Sequence, residues 1–178
     1  MALCQSLLNQ NDEALNNIEE ALKINTDFPQ ALDAKGCILY SNKNYEDALN
    51  CYKELIEKDN SNADYYFKKG SCERELKQYD EAIKSFDEAL KINPEYVKAI
   101  LLKGSCYDYL NKKDWAMENY EKVIQKDSDN PLAHQLKGQS LLSIGNKDNN
   151  YEKALNEFDI ELNLDQNNPE VLFLKAFT

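Results

Sequence analysis

Arginine is almost missing from this chain. Arg74 stands alone beside 20 lysines, and 32 Asp and Glu outweigh these 21 cations to leave a formal charge of −11 over 178 residues. The lack of clustered positive charge argues against generic binding to nucleic acid or to an anionic membrane. Glycine and proline number only five and four, too few turn-formers for an all-β sandwich or a doubly wound nucleotide-binding fold. No window approaches ~18 uninterrupted apolar residues, so nothing reads as a membrane span. The start, MALCQSLLNQNDEAL, lacks the basic and apolar regions of a signal peptide. A single histidine, with no GxxxxGK, GxGxxG or HExxH, gives catalysis no support and implies no cofactor. The five cysteines are odd in number and include no CxxC, which predicts reduced, buried thiols of a cytosolic compartment and no metal site. The chain is nonetheless 42% hydrophobic, too apolar to be disordered.

What is present is a period. Gly36, Gly70, Gly104 and Gly138 each follow the last by 34 residues, the signature of a repeat array. With glycine at position 8 of each unit, full repeats fall at 29–62, 63–96 and 97–130. A longer unit follows at 131–168, with about four extra residues near 145–150, and partial units flank them at 1–28 and 169–178. Position 20 reads Ala14, Ala48, Ala82, Ala116 and Ala154; position 24 reads Ile18, Tyr52, Phe86, Tyr120 and Phe158. Within a unit the apolar positions recur at i, i+3 and i+4, first over positions 3–11 and then over 17–28, so each unit is two amphipathic helices. In the first full repeat these run at roughly 30–42 and 45–58. Small residues at positions 8 and 20 are expected to face each other, because antiparallel helices approach closely only where side chains are small. Asn130-Pro131 and Asn168-Pro169 supply an N-cap and an N1 proline.

The segments ALDAKGCILYSNKNYEDALNCYKELIEKDN and YFKKGSCERELKQYDEAIKSFDEALKINP resemble the tetratricopeptide repeat family, with its glycine at 8, aromatic at 17, alanine at 20 and aromatic at 24. The resemblance covers the whole chain. It implies an all-α fold, a right-handed α-solenoid of stacked antiparallel helical hairpins with a 34-residue period, and a single array over residues 1–178. Two units depart from the pattern: Lys113 and Trp115 stand at positions 17 and 19 of the third full repeat, and Glu161 at position 27 of the fourth. Looser packing is expected in both.

The resemblance further implies a concave groove lined by the first helices, holding a partner peptide or helix. On the positions that face it in the family, the partner-binding residues are Tyr40, Phe67, Arg74, Lys98, Leu101, Tyr109 and Leu142, with Leu132 beside them. Aromatics and arginine are the side chains that dominate interface energetics, and Arg74 suits a carboxylate. The chaperone-binding subclass grips a C-terminal carboxylate with lysines and asparagines at set positions. Here those positions hold Asp33, Cys37, Lys68, Lys98 and Leu102, and only Lys98 fits, so that clamp is not supported.

The expected function is a non-catalytic interaction module or scaffold for a protein or peptide partner, without nucleic acid, membrane insertion, metal or cofactor. The alternatives are a structural subunit docked through its ends and convex face in a large assembly, such as ciliary or organelle machinery, and the targeting region of a larger enzyme. A cytoplasmic or cytosol-facing location follows from the cysteines, and 21 asparagines point to an AT-rich genome. Position 7 carries Lys35, Lys69, Lys103, Lys137 and Lys175, expected as a solvated face screened by Glu54, Glu57, Asp87 and Glu88. His134 falls at a packing position. Trp115 is a partner contact or fills the gap left by Lys113. Val171, Leu172, Leu174 and Phe177 have no second helix to cover them, and solenoids need capped ends, so the array is expected to be an excerpt whose open ends are covered by further sequence or by a partner.

Overall fold

The computed structural model describes residues 2–145, 149–164 and 168–176, with side chains from residue 11 onward. Everything described is helix or short connection, with no strand among the described residues. The helices are α1 (Ala2–Ile24), α2 (Pro29–Ser41), α3 (Tyr45–Lys58), α4 (Ala63–Glu75), α5 (Tyr79–Ile92), α6 (Val97–Tyr109), α7 (Lys113–Lys126), α8 (Pro131–Ile144), α9 (Asn150–Leu164) and α10 (Pro169–Lys175). None is long and apolar enough to cross a membrane. The expected helices at 30–42 and 45–58 are α2 and α3, displaced by at most one residue.

The chain forms two compact units, Met1–Pro94 and Glu95–Thr178. In the first, α2 pairs with α3 and α4 with α5, and α3 stacks on α4; in the second, α6 pairs with α7 and α8 with α9, and α7 stacks on α8. The apolar stripes close against one another as the period requires. Leu32, Leu39, Ala48, Leu49, Tyr52, Leu55 and Cys72 form the core of the first unit. Leu141, Ala154, Phe158 and Val171 form a cluster in the second.

Termini and turns follow from local chemistry. Asn130 accepts from the Ala133 amide at 3.0 Å, and Asn168 from Glu170 at 3.1 Å, so both Asn-Pro pairs cap as expected. Between the helices of the first three hairpins a left-handed residue turns the chain, Lys43, Lys77 or Asn111, with φ between 57° and 63°; after α8, Gly145 at φ 82° and Asn149 at φ 59° are both left-handed. The turn after α2 is closed by Lys43 N–H to the Tyr40 carbonyl and Asn44 N–H to the Leu39 carbonyl, both 2.9 Å. That pair of bonds is a Schellman motif, here without the usual glycine. In α1 the same place is passed without a turn, and the helix runs on to Ile24.

The glycine positions correct one expectation. A β-carbon at Gly70 would lie 2.8 Å from the ring of Phe86, one at Gly36 2.7 Å from Tyr52, and one at Gly104 2.6 Å from Tyr120; Gly138 meets Phe158 likewise. The position-8 notch therefore seats the aromatic ring of position 24, and at Gly70 the backbone of position-20 Ala82 also approaches, to 3.2 Å. A flat ring lying in the notch brings the two helices together while burying far more apolar surface than two small residues could.

The irregular units are joined by polar contacts. Lys113 replaces the packing aromatic but reaches back to Asp108 at 2.8 Å, and the same carboxylate accepts from Tyr120 at 2.7 Å and Ser140 at 2.6 Å. One acceptor group thus ties α6, α7 and α8 together. Glu161 is buried and accepts from Asn168 at 2.9 Å, which joins α9 to the start of α10. At the end of the second unit Val171 is buried, whereas Leu172 and Phe173 are exposed. Phe177 and residues 146–148 of the insertion lie outside the described residues.

Candidate functional site

In the first unit the residues of interest stand on the first helices of neighbouring hairpins, α2 and α4. Lys68 of α4 bonds Asp33 of α2 through both carboxylate oxygens, at 2.7 and 3.0 Å, and Asp64 one turn back at 2.9 Å. Burial works to lower its pKa, but the bonds from Asp33 and Asp64 outweigh burial and hold Lys68 above the ordinary lysine value. This bridge sets α2 and α4 side by side, with Tyr40 and Arg74, both at position 12, in contact. Arg74 bonds the Tyr40 hydroxyl and pairs with Glu75. Burial raises the Tyr40 phenol, Glu75 adds to this and Arg74 opposes it. Tyr40 and Arg74 are both half-buried, the Arg74 side chain keeping 24% of its surface exposed, so ring and guanidinium form a preassembled, partly accessible pair. The sequence treated Arg74 as an open anchor; Glu75 already occupies it, and an incoming carboxylate has to displace that partner. Phe67 is half-buried, with its ring 6.0 Å from that of Phe86.

In the second unit Lys98 is exposed and Tyr109 is 65% exposed, while Leu132 is 44% exposed. Leu142 is half-buried against the Leu141 and Phe158 cluster. Leu101 departs from expectation: at 2% exposure it is core and offers a partner no surface. The reason is the run Ala99-Ile100-Leu101-Leu102, which widens the apolar arc of α6 beyond a single stripe. Both of its inner residues, Ile100 and Leu101, are buried.

The position-7 lysines are partly exposed, and each meets a specific neighbour. Lys35 meets Glu19 of α1 at 2.8 Å, Lys69 meets Glu73 at 2.8 Å and Ser85 at 2.7 Å, and Lys137 meets Glu157 at 3.0 Å. Lys175 pairs with Asp159, and Lys103 lies over the ring of Tyr107. The carboxylates differ from those the sequence suggested, because the pairing is set by how each first helix seats on its neighbours. The Lys35 bond holds the Glu19 carboxyl below its ordinary value, and Glu19 holds the Lys35 ammonium up.

His134 is structural, as its position predicts. It is 3% exposed, with one ring nitrogen 2.7 Å from Glu157 and the other 2.8 Å from the Ser128 carbonyl. Cys51, Cys72 and Cys106 are free and buried, but Cys37 is exposed, which corrects the expectation that the thiols are all covered. Burial pushes the Cys51 thiol up to about 11 and the Cys72 thiol up to about 12. Trp115 does not fill the space beside Lys113; it is 54% exposed and packs edge-on to Tyr107, with ring centroids 5.1 Å apart. Among the described residues, no group of three or more His, Cys, Asp and Glu could hold a metal ion.

Known proteins share this architecture. In solved structures the chain is similar to MamA 41-end from Desulfovibrio magneticus RS-1, at 19% identity and a TM-score of 0.78, covering 94% of each chain. It is similar to a thermophilic TPR protein in Thermus thermophilus, at 20% identity and a TM-score of 0.77, over 98% of this chain and 93% of that one. YrrB, described as a TPR protein with an unusual peptide-binding site, matches at 20% identity and a TM-score of 0.74, over 98% of this chain and 88% of that one. No curated protein matches the chain in sequence. Two family models described as tetratricopeptide repeat match residues 34–97 and 73–140, the region in which the glycine notches and left-handed turns recur. Period, hairpin geometry and family match agree: the chain belongs to the tetratricopeptide repeat family.

Proposed function

We propose that this protein is a non-catalytic interaction module that holds a partner peptide or helix against the first helices of its hairpins. The observation that carries this reading is the Tyr40–Arg74 pair. The bridge from Lys68 to Asp33 fixes two first helices in register, and the ring and guanidinium they present are partly accessible and held by hydrogen bonds before any partner arrives. Preorganisation of this kind lowers the entropic cost of binding, and tyrosine and arginine are the side chains in which binding energy concentrates. Lys98 and Tyr109 on α6 extend the same chemistry in the second unit. The peptide-binding site attributed to YrrB makes a peptide the natural occupant to test first.

The test is partner capture from an extract of the source cell, comparing wild type with Phe67→Ala, Arg74→Ala and Tyr109→Ala, with circular dichroism to confirm folding. Loss of one set of captured proteins in Arg74→Ala and Tyr109→Ala is expected. Unchanged capture by folded variants would overturn the proposal and favour a structural subunit docked through other faces.

A further inference from the structure

Trp115 is the one tryptophan of the chain, and the proposed partner surface does not use it. It stands in the first turn of α7, more than half exposed, where its ring meets the edge of Tyr107 at an interplanar angle of 81°. Asn119 donates to the Trp115 carbonyl at 2.7 Å. Together with Lys103, Glu118 and Lys122, these residues line a cleft of about 280 Å³ between α6 and α7. Lys103 lies 5.8 Å from the centre of the Tyr107 ring and Lys112 lies 5.6 Å from that of Trp115. Three ammonium groups and one carboxylate therefore surround an aromatic floor, on a chain whose net charge is −11.

The cleft is distinct from the groove surface. At 3.6 residues per turn, Tyr107 stands about 180° around α6 from Lys98 and about 160° from Tyr109. Its volume lies near the lower end of the ~300–1,000 Å³ of small-molecule pockets, enough for one side chain rather than a whole ligand. We propose that this cleft is a second docking site, taking an acidic peptide segment that carries an aromatic side chain between carboxylates. The aromatic residue packs on the exposed face of Trp115, where offset or edge-on ring contacts are favourable. The flanking carboxylates meet Lys103 and Lys122 of the lining and Lys112 beside the Trp115 ring. Charge complementarity selects the acidic partner, and the overall negative field of the protein disfavours a polyphosphate chain, which would extend past the three lysines into repulsion.

Because Trp115 is the sole indole, its fluorescence reports on the cleft directly. The probe is a blocked pentapeptide with one phenylalanine between two pairs of glutamates, set against its lysine counterpart and a short oligothymidylate. A saturable change in emission with the glutamate peptide alone is expected, weakening as salt rises from about 50 to 300 mM. In the triple variant Lys103→Gln, Lys112→Gln, Lys122→Gln, which keeps helix-forming side chains throughout, the dissociation constant rises by about tenfold or more. Calorimetry on Trp115→Ala shows a comparable loss, while Arg74→Ala binds as wild type does. No saturable change, an equal response to the lysine peptide, or full binding by the triple variant would overturn the proposal. Preferential binding of oligothymidylate would overturn it in favour of nucleic acid, and a loss in Arg74→Ala would place the peptide in the groove instead.

Discussion

Replacing Gly70 by alanine tests the packing rule on which every hairpin rests. An alanine in the middle of a helix ordinarily adds roughly 1 kcal/mol of stability relative to glycine, because glycine loses more backbone freedom on folding. Here the new methyl would lie 2.8 and 2.9 Å from two ring carbons of Phe86 and 3.2 Å from the Ala82 carbonyl oxygen. Phe86 is fully buried, so its ring has nowhere to swing, and the carbonyl belongs to the backbone of α5. Relief requires α4 and α5 to move apart, and overpacking of this kind costs roughly 1–3 kcal/mol. Set against the propensity gain, the net effect is a destabilisation of about 0–2 kcal/mol. Urea unfolding followed by far-ultraviolet circular dichroism measures it, with Phe86→Leu and the double variant completing a thermodynamic cycle. The double variant should be less unstable than the sum of the singles by about 1 kcal/mol or more, since the smaller side chain vacates part of the notch. A stabilised Gly70→Ala, or strict additivity in the cycle, would refute the claim that the glycine exists to seat the ring.

Other outcomes follow from the same structure. Lys77 holds a left-handed conformation at φ 61°, which costs a non-glycine residue roughly 1–2 kcal/mol, so Lys77→Gly should stabilise the protein by about 0–1.5 kcal/mol after the entropy of glycine is subtracted, read as a higher urea midpoint. Replacing His134 by alanine removes one partner of buried Glu157 and frees the Ser128 carbonyl, and should cost about 2–4 kcal/mol by the same assay. The Cys51 and Cys72 thiols are raised to about 11 and 12 by burial, so at pH 8 mass-spectrometric mapping of alkylation should find Cys37 modified well before either. The same shifts set a sign for pH dependence. Stability from keeping these thiols neutral is complete below pH 9, the ordinary value, and is lost as pH rises from there towards 11 and 12, because the unfolded chain ionises first.

How far the sequence carried can be judged at particular residues. Helix positions, the Asn130 and Asn168 caps and the buried place of His134 were legible because they depend on local spacing and, for the caps, on hydrogen bonds a few residues away. Leu101 was not, since a family position that faces outward on average becomes core when neighbouring residues widen the apolar arc of the helix. The role of Asp108 was equally hidden. Its three donors come from positions up to 32 residues away, and nothing in the local pattern marks an aspartate as a hub. The left-handed lysines also gave no signal, because a glycine is the usual mark of that conformation and none stands there.

By itself, then, the sequence determined the period, the helical hairpin and the family, since a 34-residue spacing of glycine, alanine and aromatic positions leaves one way to bury the apolar stripes. Only the tertiary structure decided which partner each side chain takes. It put aromatic rings into the glycine notches, gave Lys35, Lys137 and Lys175 carboxylates on neighbouring helices, paired Arg74 with Glu75, and left Trp115 at the surface. Periodicity fixes which face of a helix is buried, whereas the identity of a contact depends on the rotation and offset of one helix against the next, and those are set by packing across residues far apart in the chain.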